Sequence, residues 1–216
     1  MRAINNHDPR LTVDGTRSVD PSILYIGTPV ALVTTLNENG QANIGPISSV
    51  WALGWTLVLG LIAHAKTAKN LQREKECVVN FVSEDLVDQV EKLAPLTGNN
   101  PVPPEDHDKF RFEANKFHAA GLTEIASEEV QPPRITECPL QFEAKLRATH
   151  PIGLHDKRVR SGAFAIEVEV VRVHALESII IRGRHIDPAR WRPLIYNFRH
   201  YFGLGSELAK TFRAEY

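Results

Sequence analysis

The sequence predicts a mainly β fold, an antiparallel β-barrel with inserted helices. Residues 28–46, "TPVALVTTLNENGQANIGP", contain two extended runs joined by a loop rich in Asn and Gly, a pattern typical of a β-hairpin. Residues 162–176, "GAFAIEVEVVRVHAL", alternate apolar and acidic side chains with a period of two. Helical patterns lie between the strands without the regular βαβα alternation of a doubly wound fold, which favours the barrel.

The length and composition predict one globular domain preceded by an arm. The chain has 216 residues, of which 43% are hydrophobic and 24% are charged, values that are ordinary for a globular protein. Residues 1–20 are polar and aperiodic, and we interpret them as an N-terminal arm. Residues 21–216 are predicted to form a single domain.

A buried strand and a charged helix are predicted after the hairpin. Residues 55–63, "WTLVLGLIA", place Leu57, Leu59 and Leu61 on one face, and the other face is apolar as well, so we expect a central strand covered on both sides. Residues 66–76, "KTAKNLQREKE", have the charge density of an exposed helix with Thr67 as its N-cap and Leu71 as its main apolar residue.

The middle of the chain alternates between strands, helices and one long excursion. A strand is predicted for "CVVNFVS" at 77–83, and a helix with Leu86, Val90 and Leu93 on one face for 83–94. Residues 95–108 contain four prolines and predict a turn-rich excursion. Residues 106–122 have a helical pattern closed by Gly121, and a strand is expected at about 138–148.

The C-terminal third is predicted to complete the sheet. In residues 162–176, Ile166, Val168 and Val170 are expected to face inward. Residues 178–187, "SIIIRGRHID", are expected to pair with this strand. The last thirty residues, 187–216, are aromatic and basic and predict a short helix at the end.

Several functional classes are disfavoured by charge and motif content. The net charge of −1 lacks the basic footprint of a protein that binds long nucleic acid. The longest apolar stretch, 51–63, is too short to span a bilayer, and no apolar signal region opens the chain, so we expect a cytoplasmic protein without a membrane contact. Two distant cysteines and isolated histidines predict neither a disulfide framework nor a metal site.

The segment "ANIGPISSV" at 42–50 is unusual for a strand, because Gly and Pro both weaken a central strand. Asn43, Ser48 and Ser49 can donate and accept hydrogen bonds, while Gly45 and Pro46 allow close backbone approach and a fixed bend. A flat polar ring would match such an edge. The alternative is a bulged edge strand that avoids aggregation.

A second candidate segment, "AHAKTAKNLQ", lies at the predicted helix start. Lys66 and Thr67 offer a cation, a hydroxyl and unpaired backbone N–H groups, the elements that hold a phosphate or another anion. The alternative is a capped surface helix with a solvated lysine.

Together these segments resemble a known family. "NIGPISS" at 43–49 resembles the N-(I/L)-(A/G)-P-x-S run of the flavin reductase-like proteins with the FMN-binding split barrel, of the flavoredoxin or two-component monooxygenase reductase type. "KTAKNL", "CVVNFVSEDL" and residues 119–146 are also similar to the family pattern, and the resemblance covers most of 22–200. The chain departs from it at "ALGWT", where many members have an acidic residue and Pro-Pro, and at Lys66-Thr67, where many have Lys-Asp-Thr.

The resemblance implies a Greek-key split barrel, usually a homodimer, with FMN near the subunit interface and FAD as the alternative flavin. Lys66 and Thr67 would hold the phosphate or the pyrimidine edge, and the first segment would border the ring and the ribityl chain. The flavin-contacting positions that it implies are Asn43, Ile44, Gly45, Pro46, Ile47, Ser48, Ser49, Lys66, Thr67 and Asn70.

The implied chemistry is hydride transfer from NAD(P)H to flavin N5, which requires no side-chain nucleophile or general base. Arg199, His200 and Tyr201 are candidates for a lid or for the partner subunit's contribution, with aromatic packing at a dimer interface as the alternative. The reduced flavin would supply a separate monooxygenase. Two alternatives remain: an FMN-binding electron carrier without NAD(P)H turnover, and an enzyme that acts on a pyridoxal-type substrate.

Overall fold

The computed structural model describes residues 15–159 and 161–212. Three single-turn 3-10 helices occupy Glu84–Leu86, Pro104–Asp106 and Glu177–Ile179. In chain order, the strands and α-helices are β1 (Ile26–Pro29), β2 (Ala31–Leu36), β3 (Ala42–Ile47), β4 (Val50–Leu53), β5 (Thr56–Ile62), α1 (Lys66–Glu74), β6 (Glu76–Phe81), α2 (Val87–Leu93), β7 (Leu96–Thr97), β8 (Arg111–Phe112), α3 (Lys116–Ala120), β9 (Glu124–Ile125), β10 (Arg134–Ile135), β11 (Leu140–Ile152), β12 (Ala163–Ala175), β13 (Ile180–Ile181), β14 (His185–Ile186), β15 (Ile195–Asn197) and β16 (His200–Phe202).

Seven of these strands form one antiparallel sheet in the order β3-β2-β6-β11-β12-β5-β4. The predicted mainly β, antiparallel architecture is therefore confirmed. The predicted hairpin is β2 with β3, paired without a register shift from Ala31 opposite Ile47 to Leu36 opposite Ala42. Strand β3 is an edge strand, as the alternative interpretation of its composition required, but it carries no bulge.

Apolar residues pack on both sides of β2, and this explains why the strand is buried along nearly its whole length. Ala31 and Val33 face the barrel core, whereas Val30 and Leu32 face an outer core beneath α2 and α3. The barrel core also contains Val50, Leu57, Leu59, Leu61, Ala68, Leu71, Cys77, Val79, Ala144, Ile166, Val168 and Val170. The outer core also contains Ile44, Val82, Leu86, Val90, Leu93, Leu96, Phe117, Ala120, Leu122, Ile135, Cys138 and Leu194.

The predicted inward faces agree with these cores. Leu71 is fully buried, as predicted, and so are Ile166 and Val168. Strand β5 is only partly as expected, because Leu57, Leu59 and Leu61 are buried while Ile62 on the opposite face is 45% exposed. Among the described residues, the second face of the strand is therefore only partly covered.

Two helix predictions were wrong in detail. Thr67 is not the N-cap of α1, because the helix begins after Ala65 and Thr67 lies inside the first turn. The helix predicted for 106–122 is reduced to α3, since residues 111–112 form β8, which pairs with β7. Gly121 does close α3, in the left-handed conformation that favours glycine.

The pairing predicted for residues 178–187 was also wrong. Both edges of β12 are already occupied, by β11 and by β5, so β13 and β14 form their own two-stranded hairpin. No helix is present at 203–212, and residues 213–216 lie outside the described range. Instead, β15 and β16 form a three-stranded sheet with β1.

The predicted N-terminal arm lies largely outside the described residues, which begin at 15, and residues 15–20 are exposed. Within the described ranges, no helix has the length and apolarity that crossing a membrane requires.

A fully buried carboxylate connects the sheet to the loop before β10. On β11, Oε1 of Glu143 accepts a hydrogen bond from the backbone N–H of Glu128 (2.9 Å), and Oε2 accepts one from the backbone N–H of Glu129 (2.6 Å). Nε2 of His174 lies 2.7 Å from Oε1 of Glu143. Burial alone would raise the pKa of Glu143, but these hydrogen bonds outweigh burial and lower it. The charged form is therefore favoured by folding.

Replacing Glu143 with Gln should destabilise the protein at pH 7 by about 2 kcal/mol, because the amide cannot accept from both backbone groups. A carboxyl whose pKa is lowered by folding stabilises the protein above its ordinary pKa of about 4.5 and loses that contribution as the pH falls further. Urea unfolding should therefore show that wild type and Glu143→Gln converge below pH 4.5. The exposed pair of Glu167 with His150 supplies the control, because Glu167→Gln should change stability by less than about 1 kcal/mol.

Candidate functional site

A cavity of about 710 Å³ opens between the end of β3, the start of α1 and the segment 94–110. Both candidate segments from the sequence lie on it. Its lining includes Gly45, Pro46, Ile47, Ser48 and Ser49 from the first segment, and Ala65, Lys66 and Thr67 from the second.

The floor of the cavity depends on a very close approach between β3 and α1. A Cβ atom added to Gly45 would lie 2.2 Å from Oγ1 of Thr67, a separation that real side chains do not reach. Any larger residue at 45 would therefore force the Thr67 side chain, or the helix start that carries it, to move. The glycine is required for the packing of the strand against the helix. Its sequence context had suggested a different role, the close approach of a ligand to the backbone.

Buried amides and hydroxyls form a network under this floor. Nδ2 of Asn43 lies 3.2 Å from Oγ1 of Thr67 and 3.4 Å from Oγ1 of Thr35, and Asn70 donates to the same Thr35 oxygen at 3.1 Å. Because Thr67 accepts from Asn43, its own hydroxyl proton is free to donate elsewhere. Oδ1 of Asn43 is buried without a partner among the described residues, and a Cβ on Gly98 would lie only 2.5 Å from it.

The two serines after β3 differ in their availability. Oγ of Ser49 lies 2.6 Å from the hydroxyl of Tyr25. A Cβ atom added to Gly60 would lie 2.7 Å from the Cβ atom of Ser49. The Ser48 hydroxyl also lines the cavity, and it has no hydrogen-bond partner within the described part of the chain. Ser48 is therefore the hydroxyl of this pair that can bind a ligand without losing another contact.

Lys66 forms an ion pair with the acidic residue Glu38. Its Nζ lies 2.5 Å from Oε2 of Glu38, and this hydrogen bond is the main reason that the pKa of Glu38 falls to about 2. Arg73 contacts the other oxygen of Glu38 at 2.9 Å. The backbone N–H groups in the first turn of an α-helix have no intrahelical partner, and Lys66 and Thr67 in the first turn of α1 line the cavity.

The proline-rich excursion forms one wall of the cavity and is tied to the start of α1. Nε2 of His64 lies 2.8 Å from Oδ2 of Asp106, and Nδ2 of Asn99 donates to the backbone oxygen of His64 at 3.0 Å. Lys69 on α1 donates to Oδ1 of Asn99 at 3.1 Å. These three contacts hold residues 98–106 over the cavity.

Three tyrosines form a row at the opposite rim. The rings of Tyr25 and Tyr196 meet edge to face with centroids 5.5 Å apart, and Tyr196 and Tyr201 are separated by the same distance. The Tyr201 hydroxyl donates to Glu91 at 2.8 Å, and burial together with this carboxylate raises the pKa of Tyr201. The row gives this rim a rigid aromatic surface.

A buried lysine completes the lining. Lys116 on α3 is only 4% exposed, and its Nζ donates to the backbone oxygen of Ile44 at 2.8 Å. Burial lowers the pKa of Lys116 to about 8. A cation thus lies beneath β3 at the inner side of the cavity.

The predicted site residues divide into two groups. Residues 45–49, Lys66, Thr67 and Tyr201 come together on the cavity. Asn43, Ile44 and Asn70 do not line it: all three are buried beneath the floor, where Ile44 belongs to the outer core. His200 is exposed and outside the lining, as is Arg199.

The sequence did not reveal several lining residues. Tyr196 lies in the aromatic C-terminal segment, but its place depends on the pairing of β15 with β1. His64, Asp106 and Asn99 come together because the excursion folds back, and no local pattern indicates that. Lys116 follows an amphipathic pattern in which a lysine is normally assigned to solvent.

Comparison with known proteins identifies what the chain is similar to. The family model described as "Flavin reductase like domain" matches residues 23–205. An uncharacterized protein of Bacillus subtilis (strain 168), YdfE, is 44% identical over 200 residues, which cover 92% of this chain and 94% of that protein.

Two solved structures have the same fold. The flavoredoxin of Desulfovibrio vulgaris (Miyazaki F) aligns with a TM-score of 0.73 at 23% identity, covering 92% of this chain and 98% of that one. Component B of nitrilotriacetate monooxygenase from Bacillus cereus aligns with a TM-score of 0.68 at 23% identity, covering 97% and 98%. The likeness confirms the predicted split-barrel fold.

Replacing Gly45 with Ala should destabilise the protein by about 1–3 kcal/mol, because the new methyl group overlaps the Thr67 hydroxyl. A double-mutant cycle with Thr67→Ala isolates this overlap from the loss of the Asn43 hydrogen bond. Urea unfolding should show that Gly45→Ala costs much less in the Thr67→Ala background than in wild type. Equal costs in both backgrounds would mean that the contact between residues 45 and 67 does not limit the floor.

Proposed function

Since the chain belongs to the flavin reductase-like domain family, we propose that it is an FMN-binding oxidoreductase in which flavin N5 accepts hydride from NAD(P)H. The observation that carries this proposal is the meeting of residues 45–49 with Lys66 and Thr67 on one cavity. These segments lie on different elements, the end of β3 and the start of α1, and the family resemblance implies that both contact the flavin.

The cavity suits a flavin in size and in donor set. Small-molecule sites usually measure about 300–1,000 Å³, and this cavity of about 710 Å³ falls within that range. The free Ser48 hydroxyl and the available proton of Thr67 offer directed hydrogen bonds to ring carbonyls and nitrogens. Pro46 and Ile47 offer an apolar surface on which a flat ring can lie.

The phosphate of FMN would be held at the start of α1. Backbone N–H groups at a helix N-terminus favour a bound anion, and Lys66 stands at this position with its side chain only 14% exposed. Its present partner Glu38 is 61% exposed, so Glu38 can turn to solvent while Lys66 contacts the phosphate. We propose FMN because the cavity offers one helix N-terminus for a phosphate; FAD would need further contacts for its adenosine half.

The residues of the chain bind and orient the reactants and exclude water from them. A bound flavin supplies the redox chemistry, by taking up a hydride equivalent at N5. The excursion wall held by His64, Asn99 and Asp106 covers the cavity on one side, and the tyrosine row limits it on the other. The nicotinamide ring would enter between these walls, and no side-chain base is needed for its reaction.

The acceptor of the reduced flavin is proposed to be a separate monooxygenase. One of the structures with this fold is itself named as component B of a monooxygenase. The cavity has an open side, which would allow reduced flavin to leave or a partner to approach.

A homodimer is proposed on the basis of the exposed apolar face of the β4–β5 hairpin. Trp51, Leu53 and Trp55 alternate along the chain and are 58%, 75% and 64% exposed. Exposed apolar edge strands are rare in monomers because they promote association. A second copy of this chain would cover them, in keeping with the homodimer that the family resemblance implies.

Purified protein should bind FMN, seen as quenching of flavin fluorescence during titration. Adding NADH or NADPH under nitrogen should bleach the flavin absorbance, because hydride transfer removes the oxidised chromophore. Absence of binding would overturn the proposal. Binding without bleaching by either nucleotide would favour the electron-carrier alternative.

Ser48→Ala provides the matched test of the site. Loss of one hydrogen bond to FMN should weaken its affinity by about tenfold. Ser178→Ala, on an exposed 3-10 helix outside the cavity, should leave the affinity unchanged.

Replacing Leu53 and Trp55 together with Glu should convert the dimer into a monomer, because both exposed apolar side chains would become charged. Light scattering should then give a mass near 24.2 kDa, against about twice that value for wild type. A wild-type mass of 24.2 kDa at micromolar concentration would contradict the dimer.

A further inference from the structure

Lys116 is a buried cation whose charge is not neutralised within the described part of the chain. It is only 4% exposed, and the hydrogen bond to the Ile44 carbonyl at 2.8 Å uses one of its three N–H donors. None of the ion pairs in residues 15–159 and 161–212 includes it. The charge of Glu113 partly opposes the effect of burial on the pKa of Lys116, but within these ranges the two residues form no ion pair.

Retaining such a charge is costly. Transfer of an ammonium group from water to the interior is strongly unfavourable unless it is paired, and a methionine of similar length would fill the same space without that cost. Because Lys116 lines the cavity, the missing partner can be a group that enters the cavity.

Lys66 also lines the cavity, but it is half-buried and already has an acidic partner. Lys66 contacts Glu38 and stands beside the free N–H groups of α1, where a permanent anion such as a phosphate would be held. Lys116 instead lies beneath β3, on the side of the outer core, with a single backbone oxygen beside it. A phosphate dianion requires several donors, whereas one deeply placed cation suits a single delocalised charge.

We infer that Lys116 stabilises the negative charge that the flavin ring carries after reduction, and is thus a residue that sets the flavin's redox potential. The inference rests on the proposed function and goes beyond it by assigning the charge partner of the ring. In the proposed reaction, the C4–H bond of the reduced nicotinamide would break, and its hydrogen and electron pair would form a bond to flavin N5. The nicotinamide would become cationic, and the ring would gain one negative charge around N1 and its neighbouring carbonyl.

This assignment predicts a selective effect on one oxidation state. The oxidised ring is neutral, so its affinity should depend little on Lys116. The reduced ring is anionic, so it should bind more tightly when the ammonium is present. The difference between the two affinities appears directly as a shift of the midpoint potential of the bound flavin.

Lys116→Met is the decisive variant, with Lys92→Met on the exposed side of α2 as the matched control. Reductive titration with a redox dye should show that Lys116→Met weakens binding of reduced FMN at least about tenfold more than binding of oxidised FMN. For a two-electron couple, that ratio lowers the midpoint potential by about 30 mV. The midpoint potential of Lys116→Arg, which retains the charge, should remain much closer to that of wild type. The midpoint potential of Lys92→Met should equal that of wild type.

Two further measurements keep the result interpretable. Urea unfolding checks that each variant is folded, and Lys116→Gln, which can still donate to the Ile44 carbonyl, replaces the Met variant if that variant unfolds. Riboflavin, which lacks the phosphate, should show the same selective loss as FMN.

An unchanged midpoint potential in folded Lys116→Met would overturn the inference while leaving flavin binding intact. Equal weakening of oxidised and reduced FMN, absent with riboflavin, would overturn it too and assign Lys116 to the phosphate. Failure of the wild type to bind any flavin would instead remove the proposed function, and this inference with it.

Discussion

The close approach of β3 to the first turn of α1 is the constraint on which the candidate site depends. Gly45 permits the strand to lie against Thr67 with no room for a Cβ atom, and Asn43 holds the same threonine from below. If the strand and the helix were further apart, the two lining segments would no longer border one space. The edge position of β3 makes this possible, because its outer side has no neighbouring strand and can face a ligand.

Some polar groups around the cavity hold the backbone in place, and others remain able to bind a ligand. The side-chain N–H groups of Asn43 and Asn70 both lie within hydrogen-bond distance of Oγ1 of Thr35 beneath the floor, so these three residues support the backbone. Ser48 has no other partner among residues 15–159 and 161–212, and Thr67 has a proton to donate, so both hydroxyls can hydrogen-bond to a ligand in the cavity. The buried charge of Lys116 is likewise available to a ligand, since its one hydrogen-bond partner in the described ranges is the carbonyl of Ile44.

The sequence predicted the parts of this arrangement that local patterns encode. Alternation in 162–176 and the Asn-Gly loop at 37–41 were sufficient for β12 and for the β2–β3 hairpin, because strand period and turn chemistry are local. The predicted pairing of 178–187 with β12 was wrong because a local pattern does not show that both edges of a strand are already occupied. Lys116 and the contact of His64 with Asp106 escaped prediction for a similar reason: only the tertiary fold brings them to the cavity.

The most direct test of this account is a crystal structure of the protein grown with FMN. The account predicts the flavin ring against residues 45–49, hydrogen-bonded to the Ser48 hydroxyl, with its phosphate at the first turn of α1. Lys116 should then lie on the ring side of the ligand and not on its phosphate side. Flavin bound elsewhere on the protein, or seated here with its phosphate beside Lys116, would contradict the account.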